Sequence, residues 1–252
     1  MIFMMMLKTV QPITLRNLFD SLKDIIQDVN IKFDSKGIKM ITYDTARVSL
    51  IDLYLSSDNF EEYSCPQEII AGVNITNTFK ILKTITQNDT LEMSIKNTDE
   101  MILEIFNTQK KSSTKYALKL LDIDDDYINQ PELDMSCITT MPSVNFQKIC
   151  RDMTNLLATK MVIERKSNNI SFACFGDFAN QTTQFECEEY NGQPISGTFS
   201  LKYLSMFSKT STLCVNVQFI HCETDGPLLI KYLVSNLGEL NFYIHSLITD
   251  DD

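Results

Sequence analysis

Eight cations carry the chemistry that can be read from this chain: Arg16, Lys23, Lys80, Lys83, Lys148, Arg151, Lys202 and Lys209. They sit in four short segments, 13–26, 76–86, 143–157 and 199–210, which hold only three acids, Asp20, Asp24 and Asp152. Those segments sum to +5 in a protein whose net charge is −11, so the remainder carries −16. Lysine and arginine gathered this way suit sequence-independent contact with a phosphate backbone, on one surface of a molecule that repels polyanions elsewhere. The spacing supports one face per segment. Arg16 and Lys23 are seven apart, as are Lys202 and Lys209, while Lys80/Lys83 and Lys148/Arg151 are three apart. On a helix, both intervals bring side chains to the same side.

Helices are therefore required to position them, and the apolar residues provide the pattern. Leu15, Leu18, Phe19, Leu22, Ile25 and Ile26 lie at offsets 0, 3, 4, 7, 10 and 11, and Phe146, Ile149, Cys150, Met153, Leu156 and Leu157 repeat them. This spacing predicts one buried stripe on each of two helices. Ser143 after Pro142, and Thr14 after Ile13, are the expected N-caps. The second and fourth segments match each other in Phe79-Lys80-Ile81-Leu82 and Leu201-Lys202-Tyr203-Leu204. Period-two strands follow each helix, with Leu213, Val215, Val217 and Phe219 expected on one face, and turns at Ser35-Lys36-Gly37 and Ser167-Asn168-Asn169. The chain reads as helix-then-strands four times, in the order A-B-A-B. Between the halves, six of the thirteen residues 122–134 are acidic and Pro131 interrupts them, which predicts an extended surface linker. The expected division is 1–122, a connector 123–136, and 137–252.

Composition narrows the class. With 44% hydrophobic and 22% charged residues, wholesale disorder is excluded and each half can bury a core. No apolar run reaches a membrane span, and the apolar start is too short for a secretory signal. Seven scattered cysteines, without any C-x-x-C pair, read as reduced structural thiols of an intracellular protein.

Several motifs, in one order and at nearly constant spacing, resemble the eukaryotic sliding-clamp family, proliferating cell nuclear antigen (PCNA). They are Leu22-Lys23-Asp24, Arg47-Val48-Ser49-Leu50, Gly72-Val73-Asn74-Ile75-Thr76, Lys80-Ile81-Leu82-Lys83, Met141-Pro142-Ser143 with Ile149-Cys150-Arg151-Asp152, and Gly226-Pro227-Leu228. The resemblance implies an α+β fold of two similar clamp domains. Each domain would be a duplicated helix-plus-antiparallel-sheet unit, and three subunits would close head to tail into a homotrimeric ring with helices lining the hole. It places the eight cations at or beside the DNA-facing positions, so three copies present 24 positive charges to the duplex. The implied partners are double-stranded DNA, a DNA polymerase, a clamp loader and proteins with PCNA-interacting peptides. No cofactor, metal or membrane is implied. The implied compartment is the nucleus, or the site of viral DNA replication for a viral copy.

The same resemblance implies a peptide pocket under the connector, at Tyr43, Arg47, Val48, Leu50, Ile128, Met135, Pro227, Tyr243 and His245, with Val48 and Leu50 equally readable as core. Acidic residues 124–126 and 250–252 would attract basic residues flanking the peptide. Subunit contacts would pair a strand edge near 114–119 with one near 178–185. This chain departs from the family at Met135 (tyrosine there), Gln130 (isoleucine), His245-Ser246 (Ala-Pro), and Ser167, where the family's modifiable lysine falls one residue from Lys166.

Two rival classes are disfavoured by the residues present. An enzyme would have to use His221 or His245, but His221 and Cys222 are neighbours on a strand and point to opposite faces. No P-loop, G-x-S-x-G, H-E-x-x-H or zinc-like spacing is present, and the run 124–126 lacks the glycine and terminal glutamate of an EF-hand. A clamp-shaped scaffold that never encircles DNA would have no use for the evenly spaced cations.

Overall fold

The computed structural model describes residues 4–124, 128, 131, 137–221 and 223–247. The chain divides into two compact units, one of segments 1–45, 52–129 and 234–240, the other of 46–51, 130–233 and 241–252.

The first unit runs β1 (Met5–Thr9), α1 (Pro12–Leu22), β2 (Asp28–Asp34), β3 (Gly37–Tyr43), β4 (Ser49–Ser56), β5 (Glu62–Ser64), β6 (Ile69–Asn74), α2 (Ile75–Leu82), β7 (Asp89–Ile95), β8 (Glu100–Asn107) and β9 (Ser112–Lys119). The strand entering each helix joins the meander that follows the other helix. β1 pairs antiparallel with β7, Leu7 opposite Met93, and β6 pairs antiparallel with β2, Ile31 opposite Ala71. The result is one run β5-β1-β7-β8-β9 and another β4-β3-β2-β6. This exchange interlocks the two repeats, so neither can fold as a closed sheet without the other.

The second unit repeats the scheme: β10 (Ile138–Pro142), α3 (Ser143–Asn155), β11 (Lys160–Arg165), β12 (Asn169–Phe175), β13 (Asn180–Glu186), β14 (Ile195–Ser200), α4 (Leu201–Ser208), β15 (Asn216–His221), β16 (Leu228–Val234) and β17 (Gly238–Ile244). Here β10 pairs with β15 and β14 with β11, giving β13-β12-β11-β14 and β10-β15-β16-β17. Strands β9 and β13 each end a sheet.

The apolar stripes do what their period predicts. Leu15, Leu18, Phe19 and Leu22 of α1 are buried over Ile31, Phe33, Leu53 and Leu55, while Phe146 of α3 meets Phe219 edge-on at 4.9 Å. Burying one such side chain contributes about 1.5–3 kcal/mol, which is why these helices hold although each is short. The stripes outrun the helices, however. Ile25 and Ile26 are buried beyond the end of α1, but Leu157, past α3, turns to solvent at φ 60°.

Local expectations needed correction at three places. Thr14 does not cap α1: the helix starts at Pro12, where a missing N–H costs nothing, with Gln11 at the cap position and no side-chain cap. Ser143 is the first residue of α3 rather than its cap, and its hydroxyl donates to the Cys214 carbonyl at 2.6 Å. Val215 does not share a face with Val217 and Phe219; it is exposed because β15 begins only at Asn216. At α2, Asn74 is a true cap, accepting from the Asn77 N–H at 2.9 Å.

The two expected turns close by different means. Gly37 sits at φ 145°, and a Cβ there would lie 2.0 Å from the Leu55 carbonyl, so only glycine fits. The turn 166–169 contains no positive φ. Buried Arg165 gathers it instead, donating to the carbonyls of Lys166, Ser167 (3.1 Å) and Asn169 (3.3 Å), to that of Glu188, and to Thr139 Oγ1 at 3.0 Å. A buried guanidinium is tolerable only when most of its five donors are satisfied, as they are here.

Candidate nucleic-acid interface

In the first unit, α1 and α2 lie against each other. Arg16 is half-buried, and its guanidinium donates to the Ile85 carbonyl at 3.0 Å, just past α2. Lys23 caps the C-terminus of α1, pairs with Asp20, and rests its ammonium 4.4 Å from the centre of the Phe79 ring on α2. A cation at this position also complements the negative end of the helix dipole. Lys80 is exposed and donates to Asn77 Oδ1 at 3.1 Å, and Lys83, exposed, caps α2.

In the second unit α3 packs beside α4, with Thr154 and Ser205 hydroxyls 3.2 Å apart. Lys148 and Arg151 extend into solvent with side chains 66% and 69% exposed, and both reach Asp152, Lys148 closely and Arg151 at 3.9 Å. Lys202 is exposed near its neighbour's ring, its ammonium 6.0 Å from the centre of Tyr203. Lys209 is exposed too, on a single 3-10 turn (Lys209–Thr212) that follows α4 rather than on the helix itself.

Within each unit, then, two adjacent helices and the residues immediately after them carry four of the eight cations. They are not equivalent. Lys80, Lys83, Lys148, Arg151, Lys202 and Lys209 stand exposed, whereas Arg16 and Lys23 are half-buried against their own protein. The acids among them are part of the surface rather than stray charges, since Asp20 and Asp152 sit at i,i+3 and i,i+4 from the lysines they hold. Such exposed pairs are worth only about 0.3–0.5 kcal/mol and exchange readily for a phosphate. Counting charge alone missed a polar hollow between the end of α1 and the start of α2, lined by Lys23, Asn74, Thr76 and Asn77 among others. Beside the charged Lys23 and Asp24 and the apolar Ile25 and Ile26, it presents Gln27, Thr45, Asn74, Thr76 and Asn77, uncharged hydrogen-bonding side chains from which phosphate oxygens also accept. The signal available in the sequence was the Asn-Ile-Thr-Asn run at the head of α2.

The residues proposed for a peptide pocket divide by exposure. Tyr43 (42% exposed), Arg47 and His245 face solvent, and Val48, Ile128 and Pro227 are half-buried. Leu50 and Tyr243 are buried at 3% and 6% exposure, so they are core side chains rather than contact residues. Met135 and Gln130, and with them most of the acidic connector, lie outside the described residues. The chain is anchored around the point where the connector is expected to begin: Leu121 N–H donates to the Gly72 carbonyl at 2.8 Å, and Asn30 Nδ2 donates to the Ile123 carbonyl at 3.0 Å. Gly72 permits that approach, because a Cβ there would meet the Leu121 carbonyl at 2.2 Å.

His221, the residue an enzyme would have needed, is 2% exposed with its ring 5.8 Å from Phe199, and burial pushes its imidazole down to about 4. It is a core side chain. Among the described residues no group of histidine, cysteine, aspartate or glutamate is arranged to hold a metal, and no helix is long and apolar enough to cross a membrane.

Comparison with known proteins agrees with this architecture. The family description "Proliferating cell nuclear antigen, N-terminal domain" matches residues 4–128, and the corresponding C-terminal domain matches 129–247. The "Probable DNA polymerase sliding clamp 1" of Paramecium bursaria Chlorella virus 1 is 37% identical, covering 96% of this chain and 97% of that protein. The proliferating cell nuclear antigen of Chaetomium thermophilum is 31% identical over 94% of this chain and 96% of its own. The crystal structure of the Entamoeba histolytica protein of the same name superposes with a TM-score of 0.91 at 25% identity, covering 98% of this chain and all of that one. Two duplicated units with paired cationic helices, matched end to end by both family domains, settle the classification: this chain belongs to the proliferating cell nuclear antigen family.

Proposed function

We propose that this chain is a DNA sliding clamp: three copies close into a ring around duplex DNA, tether a DNA polymerase for processive synthesis, and recruit other replication and repair proteins. The action is topological rather than chemical. The observation that carries the reading is the pairing of two cationic helices in each of two matching units, on a protein of net charge −11. Lysine and arginine contacts to phosphates carry no sequence information and are screened by salt, which suits a ring that has to slide. Closure, not affinity, prevents escape.

The eight cations, with the exposed six foremost, are the DNA-facing set. Strands β9 and β13, each at the end of a sheet, are the edges through which subunits continue one another's sheets. Residues 1–122 and 137–252 are the clamp domains, joined by the connector 123–136. Partner proteins, including the polymerase and a clamp loader, dock a short peptide at Tyr43, Arg47, Val48, Ile128, Met135, Pro227 and His245, over Leu50 and Tyr243. The site of action is the nucleus or, for a viral copy, the compartment of viral DNA replication.

The decisive experiment loads the protein on nicked circular and on linear DNA of equal length. Retention on the circle at moderate salt, with rapid loss from the free ends of the linear form, is expected. Equal retention on both defeats the clamp and favours a scaffold that binds partners without encircling DNA.

A further inference from the structure

The two terminal strands carry opposite charge in blocks. Residues 108–119, the turn into β9 and β9 itself, contain Lys110, Lys111, Lys115 and Lys119 and no acid. Residues 175–190, the hairpin into β13, β13 and the loop after it, contain Asp177, Glu186, Glu188 and Glu189 and neither lysine nor arginine. All eight side chains are exposed. Beside the acidic block two aromatics project from the β12–β13 hairpin, Phe175 at 75% and Phe178 at 71% exposure, far above what a side chain of that size normally leaves in water.

We infer that a charge clasp between the β9 edge of one copy and the β13 edge of the next, seated on the Phe175/Phe178 aromatics, sets the strength and polarity of ring closure in this protein. The inference rests on the ring reading above and deepens it by naming the groups that select the partner edge. Antiparallel addition with the strand centres aligned puts Tyr116 opposite Thr183. That register brings Lys110 and Lys111 beside Glu186, Glu188 and Glu189, and Lys119 toward Asp177, so the two-lysine end meets the three-acid end. Like edges repel, four lysines against four lysines, so β9 does not pair with β9 nor β13 with β13. The clasp enforces head-to-tail assembly and makes it sensitive to ionic strength.

The test follows mass by light scattering and sedimentation on the full chain, as NaCl is raised from about 0.05 to about 0.5 M, where screening shortens to a few ångströms. The apparent trimer dissociation constant is expected to rise at least about tenfold over that range. One variant reverses β9 (Lys110→Glu, Lys111→Glu, Lys115→Glu) and another reverses the acidic block (Glu186→Lys, Glu188→Lys, Glu189→Lys). Each is expected to be a folded monomer at concentrations where the unmodified chain is trimeric, and the chain carrying all six changes is expected to recover the trimer. Far-ultraviolet circular dichroism and thermal melting check folding in every case. Trimers that persist in both single-edge variants overturn the clasp while leaving the clamp reading intact. A folded six-fold variant that stays monomeric also overturns it. An unmodified chain that is monomeric at every salt concentration overturns the clasp and the ring together.

Discussion

The helix pairs of the two units carry the same number of cations yet hold them differently. In the first unit Arg16 is committed to the Ile85 carbonyl and Lys23 to Asp20 and the Phe79 ring, so only Lys80 and Lys83 stand fully exposed. In the second, all four cations are exposed, and Lys148 and Arg151 converge on the single carboxylate of Asp152. Positive charge at the correct helical spacing therefore serves two ends, stitching one helix to its neighbourhood and presenting a free head to a ligand. Which end is served depends on what lies within reach of the side chain.

Reversing the exposed set is the harshest test of that distinction. A chain with Lys80→Glu, Lys83→Glu, Lys148→Glu and Arg151→Glu is expected to lose clamp-dependent processive synthesis by about a hundredfold or more, since every ring then repels the duplex at twelve positions. Its melting temperature and trimer mass should stay close to those of the unmodified protein. Unchanged processivity in that variant would favour the scaffold.

Acid should separate the units next. Both histidines, His221 and His245, fall in the second unit. Burial holds His221 neutral down to about pH 4, against an ordinary value of 6.5. The unfolded chain takes up that proton first, so the associated stability is fully present above pH 6.5 and is lost as pH falls toward 4, by about 3 kcal/mol in total. The first unit relies instead on carboxylates. The Lys39 ammonium holds Asp34 below its usual range; Asp89 is opposed by its own burial, but hydrogen bonds from Thr86 and Asn107 outweigh that and hold it down. Those contributions persist until pH drops below the ordinary carboxylate value of 3.8. Hydrogen exchange at pH 5 should show the second unit loosened first, and His221→Gln should flatten the difference. Simultaneous loosening of both units in that variant and the parent would refute it.

Smaller effects sharpen the comparison at single residues. Arg16→Ala is expected to cost about 1 kcal/mol of stability by leaving the Ile85 carbonyl without its donor, read as a shift in denaturant midpoint. Arg151→Ala should leave that midpoint unmoved and lower the salt slope of DNA binding instead. If the two variants behave alike, burial does not sort these cations. Least of all, Asp152→Asn should raise DNA affinity by about two- to threefold, at a stability cost under about 0.5 kcal/mol, by releasing Lys148 and Arg151.

Much of the fold was legible because it rests on periodicity. The offsets shared by Leu15–Ile26 and Phe146–Leu157 encode a buried helical face regardless of what it packs against, and they exposed the duplication. The ends of those elements were not legible. Ser143 is a good capping residue by type, but the carbonyl of Cys214, brought close only by the folded chain, draws its hydroxyl away. Val215 fits the alternation of β15, but it lies in the stretch between the 3-10 turn Lys209–Thr212 and the strand, which begins only at Asn216.

The candidate site divides along the same line. The sequence by itself determined which side chains are cationic, that they gather in and just after the helical segments, and that the chain is built from repeated halves, because charge and period are properties of neighbours along the chain. Only the tertiary structure decided that Arg16 and Lys23 are half-spent on the protein, that Leu50 and Tyr243 are buried, and that β9 and β13 end their sheets. Those outcomes depend largely on partners tens of residues away, whose approach is fixed by the crossing of β1 and β6 in the first unit and of β10 and β14 in the second, and not by local preference alone.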